Sequence, residues 1–447
     1  MKRITSYLRE YFEIRVEQAS RLFPRRHHGP EKSIRRFNGV VLAGLLLSSL
    51  SSASAEPLVH AGDRLVFFGD AITQQRIYTR YVMNAFAAQW PGVVVSFRNA
   101  GLTGDGECDR TPGGLKRLER DVLSLQPTWV CVAFGMNDAG FQAFDQHRYD
   151  EFLAGLSAIV KELKRHQIRV VLMTPGCVES GFQRNGIDGL AYNAVLRRYA
   201  DGVKKLAAEE NVAVTDVHDL LQEIVGKSLA EKPPVSLVAN PVQPAPVLHA
   251  AMAFALLRTL QGELPIADAV IDATAGRLVR ATRCAVAAVT VQSNAISFVR
   301  TDKAIPAWLD PEARSIYQYL PSANSLNRYG LTVNGLAAGD WQLTVAGTAV
   351  AVFNAAELAA GVNLAARPGP WQTLGAKINE QSAAAEALYK HIWWDVKTMW
   401  WLPVEADAER QRLLERVMQV LNDQDSARSR VAVDIPAWKW TLTKIAK

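Results

Sequence analysis

The sequence predicts an α/β protein in which helices cover both faces of a central parallel sheet. Short runs rich in β-branched and aromatic residues recur through the first half of the chain, and segments with a helical spacing of apolar residues separate them. Beyond about residue 264 the apolar residues alternate with period two instead. Strands that alternate with helices pair in parallel, whereas consecutive short strands form antiparallel sheets. We therefore expect a parallel α/β domain followed by a smaller antiparallel β region.

Five strands and four helices are predicted for the α/β domain. The strands are RLVFF (64–68), VVVSF (93–97), WVCVAF (129–134), RVVLMT (169–174) and VAVTDV (212–217). The helices are 75–90, 114–125, 148–166 and 189–210. In the third helix Phe152, Leu156 and Ile159 lie on one face, opposite the charged residues. Functional groups of parallel sheets lie in loops at the carboxyl ends of the strands. Those loops are 69–74, 99–113, 135–147 and 175–188.

The second half of the chain is predicted to contain the antiparallel β region and then a helical tail. Residues 278–300 and 329–354 alternate with period two, and turn signals such as Asn334-Gly335 interrupt them. RPGPWQ at 367–372 ends this pattern. The expected segments are a leader at 1–55, the α/β domain at 56–264, a β-rich accessory region at 265–370 and a Trp-rich helical tail at 371–447.

Four tryptophans stand close together in the tail, within HIWWDVKTMWW at 391–401. Trp393 and Trp400 are seven residues apart, as are Trp394 and Trp401, so each pair shares a helix face. Our interpretation is an aromatic seam that docks the tail onto the rest of the protein. The alternative is a surface on which a sugar or a partner protein stacks.

The positive charge of the chain is confined to its beginning. The formal net charge is +6, and residues 1–38 contain ten Lys/Arg against four Asp/Glu, so the remainder is balanced. A nucleic-acid partner requires a basic surface on the folded domain. The sequence therefore argues against nucleic-acid binding.

The basic segment precedes a short apolar run, as in a secretory leader. Arg35-Arg36 is followed by GVVLAGLLLSSL at 39–50, and Ala53-x-Ala55 fits a cleavage site that would leave a mature start near Glu56. The apolar run is too short to span a bilayer comfortably. We expect export to the periplasm or the extracellular space and no stable membrane span after cleavage near Ala55. The alternative is an uncleaved membrane anchor.

The cysteines do not form a recognisable cofactor site. Cys108, Cys131, Cys177 and Cys284 lack the spacing of a metal or redox motif. Cys131 lies within an apolar strand and reads as a core residue. No cofactor and no metal are predicted, and no disulfide pair is identified.

Three sequence blocks follow the first three predicted strands. They are FFGDAIT (67–73), RNAGLTGD (98–105) and FGMNDAG (134–140). Their order and spacing resemble the SGNH (GDSL-type) hydrolase superfamily, and the resemblance covers about 56–262. It implies a three-layer α/β/α fold of flavodoxin-like topology and ester hydrolysis by a Ser-His-Asp triad. The serine amide, Gly101 of the second block and Asn137 of the third would form the oxyanion hole.

All three triad positions implied by the resemblance carry other residues. Ala71 stands where the family has serine. In LVANPVQPAPVLHAAMAFALLRTL (237–260), Asn240 replaces the aspartate and Gln243 the histidine, while a second histidine of the family is retained as His249. Ala cannot attack a carbonyl, Gln cannot accept the proton and Asn cannot stabilise an imidazolium. These substitutions predict a site that has lost its catalytic residues.

Three other residues are candidates to substitute for the triad. Thr73 offers a hydroxyl but more simply begins a helix. His249 would be a surrogate base, although its family counterpart is structural. His218 would be another base, although a loop-capping role is the simpler interpretation.

The acidic and oxyanion-hole residues also have alternative interpretations. Asp70, Asp105 and Asp138 suggest a metal site, but Asp70 and Asp138 belong to the family blocks and are expected to bond turn amides. Gly101 and Asn137 either shape the loops or still grip a carbonyl or acetyl oxygen.

The preferred interpretation is an exported, catalytically inactive protein of esterase ancestry. It would bind an acylated carbohydrate or another acyl ligand, or a protein partner. One alternative is an active carbohydrate esterase or deacetylase that uses unconventional residues. A second alternative is a structural scaffold.

Overall fold

The computed structural model describes residues 58–103, 110–179, 181–240, 242–262, 266–390 and 407–446. The predicted leader with its cleavage site lies outside these residues. Asp105, Cys108 and the four tryptophans of 391–401 also lie outside them. Within the described ranges, no helix is both long and apolar enough to cross a bilayer.

Five parallel strands form the central sheet. They are β1 (Arg64–Gly69), β2 (Ser96–Gly101), β3 (Trp129–Ala133), β4 (Arg169–Met173) and β5 (Ala213–Thr215). Their order in the sheet is β2-β1-β3-β4-β5, and each neighbouring pair is parallel. This is the strand order of flavodoxin-like folds. The predicted fold class is confirmed.

Seven helices accompany this sheet. They are α1 (Ala71–Gln74), α2 (Ile77–Gln89), α3 (Thr111–Asp121), α4 (Gln146–Arg165), α5 (Gly189–Glu209), α6 (His218–Leu229) and α7 (Pro246–Gln261). Phe67, Cys131 and Val171 of adjacent strands are fully buried, because both faces of the sheet are covered. The predicted strand at 93–97 begins only at Ser96, the residue that pairs with the first residue of β1. In this register, residues 93–95 extend beyond the first residue of β1, so β1 offers them no partner.

Two further sheets form the accessory region. The first has the order β7-β6-β10-β13, and the second β8-β9-β14-β11-β12. The strands are β6 (Ala267–Asp272), β7 (Arg277–Thr282), β8 (Cys284–Gln292), β9 (Ala295–Asp302), β10 (Tyr329–Asn334), β11 (Asp340–Val345), β12 (Thr348–Asn354), β13 (Val362–Asn363) and β14 (Trp438–Lys444). The expectation of antiparallel pairing is met except between β6 and β10, which are parallel. Residues 303–328 connect β9 to β10 and contain α8 (Ile316–Tyr319) and α9 (Pro321–Leu326).

The end of the chain is helical only in part. It contains α11 (Pro370–Leu388) and α12 (Asp407–Ser429), which follow the short α10 (Ala355–Ala360). The last element is β14, which lies between β9 and β11 in the centre of the second accessory sheet. The prediction of a helical tail is therefore corrected for residues 438–444. WKWTLTK alternates with period two and buries Trp438, Trp440 and Leu442.

Aromatic residues join the tail to the accessory region. Trp440 of β14 stacks on Trp371 of α11 with ring centroids 5.8 Å apart, and Tyr329 lies 4.9 Å from Trp371. The two tryptophans are almost fully buried. Among the described residues, an aromatic docking seam is thus formed by Trp371, Trp440 and Tyr329.

Polar contacts join the tail helices to the α/β domain. Asn379 of α11 accepts a hydrogen bond from Asn84 of α2 at 3.0 Å. Asp425 of α12 receives one from Arg98 of β2 at 2.8 Å, and this ion pair is buried. The last helices therefore pack against α2, which follows the first sequence block, and against β2, which leads into the second.

Candidate functional site

The residue predicted to stand at the nucleophile position lies at the start of a short helix. Ala71 is the first residue of α1, directly after β1, and is half-buried. Asp70 caps this helix, because its Oδ1 accepts a hydrogen bond from the Ile72 amide at 2.9 Å. The predicted role of Asp70 in bonding a turn amide is confirmed. Position 71 therefore lies at the carboxyl edge of the sheet, at the start of α1.

Thr73 is not available as a nucleophile. Its side chain is 1% exposed, and its Oγ1 lies 2.9 Å from the Tyr78 hydroxyl in a buried hydrogen bond. The helix cap expected of Thr73 is supplied by Asp70 instead. The hydroxyl of Thr73 belongs to the core beneath the turn.

Gly101 has a packing role. Its amide donates to Asn99 Oδ1 at 2.9 Å, so this N–H is already occupied. A Cβ on Gly101 would overlap the backbone of Thr73 and Gln74. The glycine therefore allows the end of β2 to approach α1 closely. Its backbone is not left-handed, so close approach rather than unusual conformation explains the residue.

Asn99 extends this connection between the first two blocks. Its Nδ2 donates to the Thr73 carbonyl at 2.7 Å and to Thr79 Oγ1 at 3.1 Å. The side chain is 2% exposed. Asn99 thus binds the turn after β1 to the end of β2, which fixes the position of Ala71 relative to Gly101.

The third block is held by Asp138. Its Oδ1 accepts from the amide and the hydroxyl of Thr111 at 2.9 and 2.8 Å, and its Oδ2 accepts from the Gly135 amide at 3.0 Å. These bonds confirm the expected turn-amide role. Burial raises the pKa of Asp138 to about 6, against the opposing effect of these donors. Asn137, one residue earlier, is half-buried at the same edge, and its carbonyl accepts from the Gly140 amide at 3.0 Å.

The described residues offer no metal site. No group of three His, Cys, Asp or Glu side chains among them is arranged to hold a metal ion. Asp70 and Asp138 both accept hydrogen bonds from backbone amides, as described above. Asp105, the third acidic residue considered, lies outside the described residues.

The described part of the late sequence block contains two short paired strands. Residues Val238–Asn240 pair with Gln243–Pro244 in a short antiparallel ladder, in which Asn240 lies opposite Gln243. Gln243 is exposed. Pro246 then begins α7, a position where the missing amide hydrogen of proline costs nothing. Asn240 and Gln243, the residues predicted to stand at the acid and base positions, are therefore neighbours in the backbone.

His249 is a structural residue. It is fully buried on α7, and its Nε2 lies 3.0 Å from Gln75 Oε1. Its ring is parallel to that of Tyr78, with centroids 6.2 Å apart. Burial lowers the pKa of His249 to about 3, so the imidazole is neutral and a poor proton acceptor. This environment argues against the surrogate-base interpretation and ties the late block to the turn after α1.

His218 also serves the backbone. Its Nδ1 lies 2.9 Å from the Gly176 carbonyl, and its amide donates to Thr174 Oγ1 at 2.9 Å. Burial lowers the pKa of the His218 imidazole. These contacts fit the predicted loop-capping role and connect the loops after β4 and β5.

A small cavity lies beneath the edge of the sheet. Its volume is about 20 Å³, and Asp70, Thr73, Phe134, Thr174 and Met252 are among the residues that line it. A cavity of this size accommodates roughly one water molecule. It is too small for a sugar or an acyl group larger than a few atoms.

Sequence reasoning missed Arg117, which connects the first two blocks from below. Its guanidinium donates to the Gly69 and Ala100 carbonyls, each at 2.8 Å, and lies 4.5 Å from the centre of the Phe68 ring. Arg117 is 4% exposed. The arginine therefore joins the carboxyl ends of β1 and β2. An arginine within the helical segment 114–125 carried no signal of this contact.

A hairpin beside the third block was missed as well. Gln183–Arg184 pairs with Ile187–Asp188, and the exposed Arg184 lies with its guanidinium 4.3 Å from the centre of the Phe141 ring. Phe141 is buried with a left-handed φ of 55°, which is uncommon for a bulky residue. The Asn185-Gly186 pair is a signal for such a hairpin, but the segment had been assigned to a loop.

Comparison with known proteins agrees with this geometry. Residues 67–231 match the GDSL-like lipase/acylhydrolase family. The α/β domain belongs to the SGNH/GDSL hydrolase superfamily. An acetylxylan esterase from Geobacillus stearothermophilus is 28% identical over 224 residues, which cover 45% of this chain and 95% of the esterase.

One solved structure shares the fold over most of the chain. It is that of a gut microbial diltiazem-metabolizing enzyme, with a TM-score of 0.73 and 22% sequence identity. The likeness covers 88% of this chain and 99% of that chain. The shared fold therefore extends well beyond the α/β domain.

Proposed function

We propose that this protein has lost ester hydrolysis and that its SGNH domain binds an acylated carbohydrate without cleaving it. The observation that carries the proposal is Ala71 at the start of α1, where the superfamily places its serine. A methyl group cannot form an acyl-enzyme. Asn240 and Gln243 extend the loss to the acid and the base.

The surroundings of Ala71 support the absence of a substitute nucleophile. Thr73 holds a hydroxyl in the same short helix, but that group is buried and bonded to Tyr78. A nucleophile must reach the substrate and a base at hydrogen-bond distance. Thr73 meets neither condition in this arrangement.

The two buried histidines support the absence of a substitute base. His249 lies against Gln75 and Tyr78, and His218 lies against the Gly176 carbonyl. Burial lowers the pKa of both imidazoles. A general base works best with a pKa near the operating pH. Both rings therefore serve packing rather than proton transfer.

The choice of ligand rests on the relatives of the α/β domain. The related acetylxylan esterase covers this domain, and its name places its activity on an acetylated polysaccharide. Asn137 is half-buried at the carboxyl edge, and the exposed Arg184 stands on the neighbouring hairpin. An amide and a guanidinium are suitable donors for acetyl and sugar oxygens. We propose that these two side chains contact a ligand bound on the surface of this edge, since the cavity beneath it holds only about one water molecule.

The first test is an esterase assay of the purified full chain. We expect no turnover of p-nitrophenyl acetate or acetylated xylan above that of heat-denatured protein. Turnover by the native protein that Asn137→Ala abolishes would identify an active esterase and contradict the proposal.

The second test measures binding. Isothermal titration with acetylated and chemically deacetylated xylo-oligosaccharides should show weaker binding of the deacetylated ligand. Asn137→Ala should weaken binding by roughly tenfold, equivalent to one lost hydrogen bond. Asn294→Ala, an exposed asparagine of the accessory region, should bind normally. If the folded protein binds neither ligand nor any member of a glycan array, the structural-scaffold interpretation replaces this one.

We propose further that the protein is exported. The basic residues, short apolar run and Ala53-x-Ala55 site within 1–55 support this localisation. Expression with and without this segment, followed by cell fractionation and N-terminal sequencing, tests it. A mature protein that begins near Glu56 outside the cytoplasm is expected, whereas a membrane-bound chain that retains residues 1–55 would contradict cleavage.

A further inference from the structure

The C-terminal helix α11 meets the turn between α1 and α2 through a buried carboxyl group. Glu386, near the end of α11, is 6% exposed. Its Oε1 accepts a hydrogen bond from Thr79 Oγ1 of α2 at 3.0 Å. Thr79 also receives a bond from Asn99 of the second block. A side chain of the tail is thus connected to the polar network that positions Ala71.

Arg76 lies at the same junction, and both its burial and its backbone conformation are energetically unfavourable. It is the residue between α1 and α2, is 7% exposed, and has a left-handed φ of 62°. Its Nε, Nη1 and Nη2 are buried, and none has a hydrogen-bond partner among the described residues. The guanidinium lies 5.8 Å from the centre of the Tyr389 ring, but its burial without hydrogen bonds is costly, and a non-glycine residue in this conformation adds strain. The turn therefore depends on its surroundings to remain in place.

Other charged groups face Glu386 from each helix packed around it. Arg76 acts from the α1–α2 turn, Arg80 from α2 and Arg428 from α12, and each favours the ionised carboxylate. The Tyr78 hydroxyl also interacts with it electrostatically. Nevertheless, no direct ion pair joins Glu386 to an arginine within the described ranges. Burial outweighs these attractions and raises the pKa of Glu386 to about 7.

We infer that Glu386 is a proton-linked latch that fastens α11 to the turn carrying Ala71. In its neutral form the carboxyl group remains buried against Thr79. Loss of the proton places a charge in this interior, and exposure of Glu386 to water then becomes more favourable. Opening of the latch separates α11 from α2. Arg76 then relaxes from its strained conformation, and the adjacent helix α1 becomes less ordered. This inference does not depend on which ligand the site binds.

The direction of the pH dependence follows from proton linkage. The carboxyl pKa is higher in the docked state, at about 7, than its ordinary value of 4.5. The docked state is therefore favoured most below pH 4.5, and this advantage is lost as the pH rises to about 7. Above that pH both states are ionised, and the equilibrium becomes constant. One linked proton changes the opening equilibrium by at most about tenfold per pH unit.

Hydrogen–deuterium exchange of the full chain from pH 4.5 to 8.5 tests the latch. Exchange rates are corrected for the intrinsic pH dependence of amide exchange, and α5 peptides serve as an internal reference. We expect opening of peptides from 71–89 and 370–388 to increase between pH 5 and 7 and to level off above pH 7. Opening that is independent of pH in these peptides would overturn the inference.

Two variants of α11 assign the effect to one carboxyl group. Glu386→Gln retains a neutral hydrogen-bonding side chain and should abolish the pH dependence in both peptide sets. Glu380→Gln removes an exposed carboxylate of the same helix and should behave as the unmodified protein. An unchanged pH dependence in Glu386→Gln would overturn the inference.

Arg76→Met provides a test that does not alter the carboxyl group. Removal of the guanidinium takes away an attraction that favours ionised Glu386, so the levelling-off should move to a higher pH. A shift to lower pH, or no shift, would contradict the proposed arrangement. Since Met removes three unbonded donors, this variant also remains informative if Glu386→Gln fails to fold.

Discussion

The parallel sheet and the second accessory sheet are assembled from the chain in different ways. The five strands of the parallel sheet follow one another between Arg64 and Thr215, and helices connect them. The second accessory sheet draws four strands from residues 284–354, but its central strand comes from 438–444. Contacts between residues that are close in sequence form readily, whereas the second accessory sheet is complete only when the last strand of the chain has joined it. The accessory sheet therefore depends on the end of the chain far more than the parallel sheet does.

The tail between these elements passes over the α/β domain. α11 bonds to α2 through Thr79 and Asn84, and α12 bonds to β2 through Arg98. The same segment that completes the accessory sheet thus covers the helix and the edge strand next to the candidate site. The difference between the two sheets can be tested by changes in each of them and in the tail.

Deletion of residues 431–447 should have the largest effect. Loss of β14 leaves β9 and β11 without their shared partner and uncovers the residues packed on Trp440. Truncation of one large buried side chain already costs about 3–5 kcal/mol, so loss of the strand should unfold the accessory sheets. Calorimetry should show that one unfolding transition disappears while that of the α/β domain remains. Deletion of residues 446–447 is the control. If the longer deletion leaves the unfolding transitions unchanged, the accessory sheet does not depend on the end of the chain.

Asp425→Ala should have the next largest effect. It leaves Arg98 and Arg428 as buried charges without their carboxylate partner. Breaking a buried ion pair in this way costs about 3–5 kcal/mol. Chemical denaturation measures the loss, and Asp423→Ala, at an exposed position of the same helix, should cost little. A small effect of Asp425→Ala would show that α12 does not anchor β2.

Asp138→Asn should change the pH dependence of stability. The pKa of Asp138 is raised from 3.8 to about 6 in the folded protein. Its contribution is therefore present below pH 3.8 and lost as the pH rises through about 6. This shift corresponds to a change in the free energy of unfolding on the order of 2–3 kcal/mol. The variant should lack this component in denaturation measured from pH 3.5 to 7, whereas Asp434→Asn, at an exposed position, should retain it.

Restoration of the triad should have the smallest effect. Ala71→Ser alone should remain inactive because an unassisted serine hydroxyl is a weak nucleophile. The triple variant with Asn240→Asp and Gln243→His should regain weak turnover of p-nitrophenyl acetate if the loops are still aligned. Measurable turnover by Ala71→Ser that equals the turnover of the triple variant would show that Asn240 and Gln243 are not the lost triad positions.

Much of the α/β domain was predictable because its signals are local. Each strand of the parallel sheet is a short apolar run, and α4 and α5 each carry an amphipathic pattern. The turn-bonding roles of Asp70 and Asp138 were predictable too, since Asp70 bonds the Ile72 amide and Asp138 bonds the Gly135 amide within their own sequence blocks. The interpretation of His249 as structural also agrees with its buried contacts.

The residues missed or misassigned are those whose roles depend on distant parts of the chain. Gly101 was interpreted through turn conformation or oxyanion binding, yet its close approach to Gln74 explains it. Arg117 contacts the ends of two strands, and no local pattern indicates those carbonyls. Trp438 and Trp440 were assigned to a helical tail because most of the tail has a helical spacing of apolar residues. Around these two residues, however, buried and exposed side chains alternate as in a strand.

The sequence by itself indicated the superfamily of the α/β domain, the strands of its parallel sheet and the substitutions at the positions that the resemblance implies for a triad. These features depend on residue identity and on patterns within a few turns or strands. Only the tertiary structure decided that the last strand completes the accessory sheet and that Glu386 is buried beside Arg76 and Thr79. Such contacts join residues hundreds of positions apart, as Thr79 and Glu386 are. Burial and desolvation at these contacts depend on the packed neighbours, which no single stretch of sequence specifies.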